Sequence, residues 1–185
     1  DGAAERLKYV GEAIALTKSQ LRPDQTMIGF AGAPLTVACY MIEGQGSRDF
    51  LEVKKLMFHD PKAFAELIES LAEVTVEYMI LQKNSGADCF MLFDTWAGTL
   101  ISEDFRQHII PSLNRIFAAA REQDLPLIYY PGQGRLRYSD LQYLRTYPDV
   151  LAIDWRNSMN DAIVELASMG LNLTVQGNLD PSTLL

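Results

Sequence analysis

The chain has 185 residues, of which 48% are hydrophobic and 22% are charged, and its formal net charge at pH 7 is -8. This balance predicts one ordered domain over residues 1–185 with a sizeable core, and it excludes intrinsic disorder, collagen and a coiled coil. The acidic charge, with no basic stripe, argues against a nucleic-acid partner.

The sequence also argues against a membrane or secretory segment. No uninterrupted apolar run approaches the roughly 18 residues that a membrane span needs, and the first residues lack the basic and then apolar layout of a signal peptide. Cys39 and Cys89 lie far apart in apolar surroundings, which is typical of reduced core thiols rather than of disulfides or a four-ligand zinc site. We therefore expect a cytoplasmic protein with no membrane partner.

Five short runs have the length and the β-branched or aromatic content of strands. In chain order they are Met27–Ala31, Ala87–Asp94, Leu125–Tyr130, Val150–Trp155 and Leu173–Gln176. Their apolar residues are consecutive rather than alternating, which is typical of strands buried on both faces. Such burial predicts a parallel sheet.

Helical patterns fill the segments between these strands. The clearest helix follows Asp60, which is placed as an N-cap before Pro61, and its apolar residues recur every three or four positions as far as Met79. Ser102 is predicted to cap a second helix. Further helical segments are predicted over Ala3–Ser19, Pro34–Ile42, a stretch after Ser47, Ser139–Thr146 and Asn160–Met169.

The alternation of strands and helices predicts repeated βα units in an α/β fold. Such units occur in open doubly wound sheets and in (β/α)8 TIM barrels. An open sheet usually carries a G-x-G-x-x-G turn after its first strand, whereas Gly29–Pro34 has the wrong spacing and Gly132-Gln133-Gly134 is typical of an ordinary turn. Both architectures stay open at this point.

In parallel α/β folds, functional groups collect just past the carboxyl ends of the strands. Five segments fall there: Gly29–Pro34 with the following Tyr40, Phe93–Gly98, Tyr129–Gly132, Asp154–Arg156 and Gln176–Pro181. Their aromatic, amide, hydroxyl and carboxylate groups predict a hollow that grips a large flat ligand. The two histidines, His59 and His108, fall on helices and are predicted to be solvated, so neither a Ser/His/Asp triad nor a metal site is expected.

Each of these candidate groups also has a purely structural interpretation. Turn or helix caps account for Asp94, Asp154 and Asp180-Pro181, core packing for Tyr40, and packing over the strand ends for Trp96 and Trp155.

Taken in order, the segments resemble the uroporphyrinogen decarboxylase family. The similarity rests on Ile28–Thr36 leading to Tyr40–Gly44, on Phe93–Gly98, on Asp154-Trp155 and on Gln176–Pro181. The resemblance implies a TIM barrel, of which this chain covers about five βα units, the third to seventh strands. It also implies a homodimer that removes carbon dioxide from the four acetate side chains of uroporphyrinogen, giving coproporphyrinogen without any metal or organic cofactor.

The resemblance carries site residues over only where this sequence matches the family's pattern. Tyr40 is similar to a tyrosine that lies near the catalytic aspartate and the substrate, Thr95 stands where the family often has a serine that contacts a substrate carboxylate, and Phe30 is similar to an apolar residue of the cleft. The family's catalytic aspartate falls outside this chain, so the catalytic residue is left unknown.

Two alternatives accompany this interpretation. A methyltransferase of the same superfamily would need zinc held by clustered His and Cys late in the barrel, and Cys39 and Cys89 have no such neighbours. The other alternative is a catalytically silent piece, because a barrel that lacks three strands leaves open strand edges.

Overall fold

The computed structural model describes residues 2–44, 47, 49–132 and 138–185. Its five strands are β1 (Ile28–Gly32), β2 (Cys89–Phe93), β3 (Leu127–Tyr130), β4 (Val150–Ala152) and β5 (Thr174–Gln176). All five lie within or next to the runs predicted from the sequence. The observed β4 is shorter than predicted: it ends at Ala152, and a turn follows at Trp155 and Arg156.

The helices alternate with these strands. They are α1 (Ala3–Arg6), α2 (Lys8–Gln20), α3 (Pro34–Glu43), α4 (Leu51–His59), α5 (Pro61–Asn84), α6 (Ser102–Asp104), α7 (Ile110–Glu122) and α8 (Met159–Ser168). Short 3-10 turns cover Ala97–Thr99, Tyr138–Tyr143 and Pro181–Leu184, and a π-helical stretch covers Phe105–Ile109. No helix in the described ranges is both long enough and apolar enough to cross a membrane.

The sheet is parallel throughout, and its strands follow the chain order β1-β2-β3-β4-β5. Parallel crossovers are right-handed, so strands added always on the same side place all of their helices on one face of the sheet. This order is that of a barrel wall, whereas a doubly wound sheet reverses its order once and carries helices on both faces. The predicted parallel α/β fold is therefore confirmed.

The prediction of strands buried on both faces holds for β3, where Leu127, Ile128 and Tyr129 are all buried, and is wrong for β1, whose two faces differ in burial. On the face that carries the helices, Phe90, Leu92 and Tyr129 are completely buried. On the opposite face, which we call the inner face, Ile28 is 48% exposed and Phe30 62% exposed. The consecutive apolar runs are typical of a sheet covered on both faces, whereas the described residues leave the inner face of β1 open.

Helix boundaries follow local chemistry. Asp60 caps α5 as predicted, because its Oδ1 accepts a hydrogen bond from the Ala63 N–H at 3.0 Å, and Pro61 is the first helical residue. Ser102 does not cap its helix: it is the first residue of α6, and Ile101 precedes it as an uncapped N-terminus. The π-helical stretch that follows ends next to Pro111, whose missing N–H interrupts the regular ladder.

Some backbone hydrogen-bonding groups at the exposed edge of β1 have a side-chain partner in the same chain. The buried Gln82 side chain of α5 accepts a hydrogen bond from the Phe30 N–H at 3.0 Å and donates one to the Phe30 carbonyl at 2.9 Å. Both backbone groups of this edge residue therefore have a partner, which limits the unpaired backbone expected of an open edge.

Candidate functional site

Three aromatic rings line the upper part of the inner face. Phe30 meets Phe93 edge to face with ring centroids 6.1 Å apart, and Phe93 meets Tyr130 in the same way at 5.9 Å. Gly32 pairs with Phe93 and Phe93 with Tyr130 in the parallel register, so the rings stand on adjacent strands. We call these three residues the aromatic row. It gives the inner face an apolar wall beside the carboxyl ends of the strands.

The aromatic row ends at a charged group after β4. The Tyr130 hydroxyl donates to Asp154 Oδ2 at 3.0 Å, and Asp154 also accepts from the backbone N–H of Arg156 at 2.8 Å and from its Nη1 at 3.0 Å. The guanidinium of Arg156 lies 4.2 Å from the centre of the Trp155 ring. Burial, followed by the hydrogen bond to Asp154, raises the pKa of Tyr130 to about 12, so this phenol stays protonated at neutral pH.

Asp94 lies on the other side of the sheet. It is completely buried, and its carboxylate accepts hydrogen bonds from Thr36 Oγ1 at 3.2 Å and from the Tyr129 hydroxyl at 3.1 Å. Tyr129 packs edge to face on Phe117 of α7, which places the cluster under the helices. Burial raises the pKa of Asp94 to about 7, although both hydrogen bonds act to lower it. The Asp94 side chain therefore lies in the protein interior beneath the helices and does not face the inner side of the sheet.

Tyr40 and Thr95 are brought to adjoining segments. Tyr40, on α3, is 48% exposed, and its ring meets that of Trp96 edge to face at 6.3 Å. Thr95 is half-buried and directly precedes Trp96. No hydrogen bond joins the Tyr40 or Thr95 hydroxyl to another residue of the described part of the chain. Core packing therefore does not account for the whole Tyr40 side chain.

Phe30 is the most exposed member of the aromatic row. Besides meeting Phe93 on the inner face, it borders an apolar cleft of about 270 Å³ at the outer edge of β1, together with Leu7, Val37 and Tyr78. The structure thus places Phe30 at the apolar end of the inner face and Tyr40 and Thr95 at the carboxyl edge of the same sheet.

Several structural interpretations from the sequence are confirmed. Asp180 Oδ1 accepts from the Ser182 N–H at 2.9 Å and starts the turn that begins at Pro181. Trp96 packs on Phe50, with ring centroids 4.7 Å apart. Cys39 is buried and free, and burial raises the pKa of its thiol to about 12.

The two histidines differ in exposure. His59 is exposed at the end of α4, as predicted, whereas His108 is half-buried in the π-helical stretch and meets the Phe64 ring edge to face at 5.6 Å. The prediction of a solvated His108 is therefore wrong, because α5 covers one side of its ring. Gln133 and Gly134 of the predicted turn lie outside the described residues.

Three residues that the sequence analysis named only as members of longer segments, without a role of their own, also shape this edge. Thr36 bonds to the segment after β2, Arg156 bonds to Asp154, and Gly132 lies directly against the backbone of residues 94 and 95. Their places after strands or in the first turn of a helix gave a weak signal, but their partners are distant in sequence and become visible only in the fold.

Comparison with known proteins agrees with this architecture. The family model described as uroporphyrinogen decarboxylase (URO-D) matches residues 1–185. A uroporphyrinogen decarboxylase of Geobacillus kaustophilus (strain HTA426) is 41% identical over 180 residues, covering 96% of this chain and 49% of the relative. One of Geobacter sp. (strain M21) is 36% identical over 178 residues, covering 95% and 50%.

A methyltransferase from Methanosarcina mazei has a similar structure, with a TM-score of 0.76 and 17% sequence identity, over 97% of this chain and 51% of that one. At this identity the likeness is one of fold alone. The chain spans about half the length of the curated relatives that it matches. Because the family model covers all 185 residues, the chain belongs to the uroporphyrinogen decarboxylase family.

Proposed function

We propose that these 185 residues form about half of a uroporphyrinogen decarboxylase, supplying the third to seventh strands of a (β/α)8 barrel and one wall of its substrate cleft. The observation that carries the proposal is the juxtaposition, on one sheet, of the aromatic row with Tyr40 and Thr95 at the carboxyl edge. Membership of the family and coverage of about half of each relative support it. The half-open inner face fits a wall that the rest of the barrel would complete.

The chemistry needs no metal or organic cofactor, because the tetrapyrrole itself accepts the electrons. Protonation of a pyrrole ring carbon creates a cation conjugated with the carbon that bears the acetate. The C–C bond to the carboxylate then breaks, its electron pair quenches the cation, and carbon dioxide leaves. A proton finally replaces the lost carboxylate on the side-chain carbon, and the ring carbon releases the proton that it took up, which restores the aromatic pyrrole. The protein has to stabilise the developing positive charge in a sheltered cleft.

The described residues suit parts of this task. The rings of the aromatic row would flank the flat macrocycle, and their electron-rich faces favour a nearby positive charge. The Tyr40 hydroxyl would lie near the reacting pyrrole, and the Thr95 hydroxyl would donate to a substrate carboxylate. The family's aspartate, outside these residues, would hold the pyrrole N–H groups.

The negative charge of the chain, -8, opposes binding of a ligand with up to eight carboxylates unless local cations focus the field. Arg156 is a cation at the carboxyl edge, but its Nη1 is bonded to Asp154, which compensates part of that charge. The arginines that the family uses for substrate carboxylates fall outside these residues. We therefore propose that the 185 residues alone bind and decarboxylate the substrate poorly.

The proposal includes a cytoplasmic homodimer. The two free cysteines, one buried and one half-buried, suit a reducing compartment. The dimer follows from the family resemblance alone, and light scattering of the full-length protein behind a sizing column tests it, since a monomeric mass would contradict it.

Turnover of uroporphyrinogen by the full-length protein that contains these residues tests the function, and Tyr40→Phe tests the site. We expect coproporphyrinogen and carbon dioxide from the wild type, and a roughly 10- to 100-fold lower kcat for Tyr40→Phe if the lost hydroxyl supports the cationic transition state. Tyr9→Phe, on the exposed surface of α2, is the control and should keep the wild-type rate. If the metal-free wild type does not turn over uroporphyrinogen, and the protein shows methyl-transfer activity only with stoichiometric zinc, the result would favour the methyltransferase chemistry instead.

Thr95→Val is expected to weaken substrate binding more than it slows the chemical step. A neutral hydroxyl that donates to a charged carboxylate contributes about 1.5–3 kcal/mol, which corresponds to an increase in KM of roughly 10- to 150-fold. Thr95→Ser keeps the hydroxyl and should keep KM within about twofold of wild type. Steady-state kinetics of the two variants decide the matter: equal KM values would remove Thr95 from the substrate site.

A further inference from the structure

Helix α3, which carries Tyr40, is fastened at its first turn to the segment that carries Thr95. The Ala33 N–H donates to the Phe93 carbonyl at 2.7 Å, which ties the start of the helix to the end of β2. Thr36 then makes two further bonds to the residues on either side of Thr95.

The Thr36 hydroxyl is the centre of this connection. It donates to Asp94 Oδ1 at 3.2 Å, and it accepts a hydrogen bond from the Trp96 backbone N–H at 3.3 Å. Asp94 and Trp96 are the two neighbours of Thr95 in the chain, so one side chain of α3 bonds to the side chain before the predicted substrate contact and to the backbone N–H after it. In the described ranges, no other side chain of α3 makes a hydrogen bond to this segment.

Thr36 is also close to Tyr40 along the helix. Residues four apart lie on the same face of an α-helix, one turn from each other. The Tyr40 ring meets the Trp96 ring at 6.3 Å, and Trp96 is packed in turn against Phe50. The position of α3 over the segment after β2 therefore sets where the Tyr40 hydroxyl stands relative to Thr95.

Burial separates Thr36 from the residues that can meet a ligand. Thr36 is 5% exposed and its hydroxyl is occupied as donor and as acceptor, whereas Tyr40 is 48% exposed. Thr36 is thus suited to hold the two groups and not to touch a substrate.

We propose that Thr36 is a positioning residue of the decarboxylation site, whose hydroxyl fixes α3 on the segment after β2 and thereby sets Tyr40 and Thr95 at their working separation. This assignment rests on the proposed function. Only a hydroxyl on a short side chain performs it, because one group must donate to a carboxylate and accept from a backbone N–H. Valine has nearly the same shape and can do neither.

The test uses the full-length protein with three single variants. Thr36→Val should lower kcat for uroporphyrinogen about tenfold, because displacement of a catalytic group by a fraction of an ångström is already costly in rate. Thr36→Ser restores the hydroxyl and should recover at least half of the wild-type kcat. Thr99→Val is the matched control, since its hydroxyl donates to the Trp96 carbonyl at 2.6 Å within the same segment and makes no bond to α3; it should stay within about twofold of wild type.

Hydrogen exchange at the Trp96 amide gives a readout that is independent of activity. Thr36→Val removes the acceptor of this N–H, so exchange should become at least about tenfold faster, while Thr36→Ser and Thr99→Val should remain near wild type. Faster exchange together with an unchanged kcat would leave Thr36 a purely structural residue and overturn the assignment.

A double variant distinguishes positioning from general loosening. If Thr36 acts through Tyr40, adding Thr36→Val to Tyr40→Phe should lower kcat by less than about threefold further, whereas independent effects would multiply. Full multiplication would contradict the assignment. A wild-type protein that does not turn over uroporphyrinogen would instead overturn the proposed function, and the assignment with it, which separates the two failures.

Discussion

Gly132→Ala is expected to destabilise the fold by about 3 kcal/mol and to lower the decarboxylation rate proposed for the full-length protein at least tenfold. Gly132 has a φ of +79°, a backbone conformation in which a side chain is strained. A Cβ at this position would lie 2.3 Å from both the Asp94 and the Thr95 carbonyl oxygens. These are backbone atoms, so no rotation of a side chain relieves the overlap, and the segment that carries Thr95 has to move.

Gly170→Ala provides the matched control. Gly170 also has a positive φ, +73°, but an added Cβ there meets no atom within 4 Å. It should therefore cost only the backbone strain, about 1 kcal/mol, and leave the catalytic rate unchanged. Chemical denaturation and steady-state kinetics of both variants measure the difference. Equal destabilisation by the two alanines would show that the close approach of Gly132 to residues 94 and 95 is not a constraint.

The strands and their parallel arrangement could be predicted because they depend on local information. Runs such as Leu125–Tyr130 are apolar and bounded by turn-forming residues, and Asp60-Pro61 carries a complete start signal for α5. The half-open inner face could not be predicted in this way. Burial of a strand's second face depends on which other strands are present, and Ile28 looks the same in sequence whether or not its face is covered.

The candidate site was predictable only in part, for a related reason. The rule that groups gather after parallel strands predicted the segments around Thr95 and Asp154 as candidates. It did not separate Asp154, which meets Tyr130 of the aromatic row, from Asp94, which bonds to Tyr129 under the helices. Tyr129 and Tyr130 are adjacent in sequence and point to opposite faces, so only the register of the sheet assigns each carboxylate to its tyrosine.

Asp94 should make the stability of the protein fall as the pH rises from about 4 to about 7. Burial raises its pKa from 3.8 to about 7 in the folded state, while the unfolded chain keeps the ordinary value. Between these two pKa values the folded protein binds a proton that the unfolded chain has released, so rising pH favours unfolding. The stabilising contribution is complete below the unfolded pKa and is lost as the pH passes through the folded pKa.

Asp94→Asn isolates this effect, because asparagine has nearly the same shape and does not ionise in this range. The free energy of unfolding of the variant minus that of wild type should increase by roughly 4 kcal/mol between pH 4 and pH 8, because only wild type loses stability over this range, and the difference should then level off. Groups with lowered pKa values, such as Asp88 and Asp180, titrate in both proteins and cancel in the comparison. Urea denaturation at a series of pH values gives the required curves.

Tyr129→Phe tests the same pKa shift of Asp94 from the side of its hydrogen-bond partner. The Tyr129 hydroxyl donates to Asp94 Oδ2 at 3.1 Å and so favours the ionised carboxylate. Without this hydrogen bond, less opposes the effect of burial on the pKa of Asp94, so that pKa should rise further. The pH at which the stability difference levels off should then move above about 7. If Asp94→Asn and wild type instead keep a constant difference in unfolding free energy from pH 4 to pH 8, the carboxylate titrates alike in the folded and unfolded states. The hydrogen bonds from Thr36 and Tyr129 would then compensate fully for the hydration that the Asp94 carboxylate loses on burial. Asp94 would be ionised in the folded protein throughout this pH range, at the junction between α3, β2 and β3.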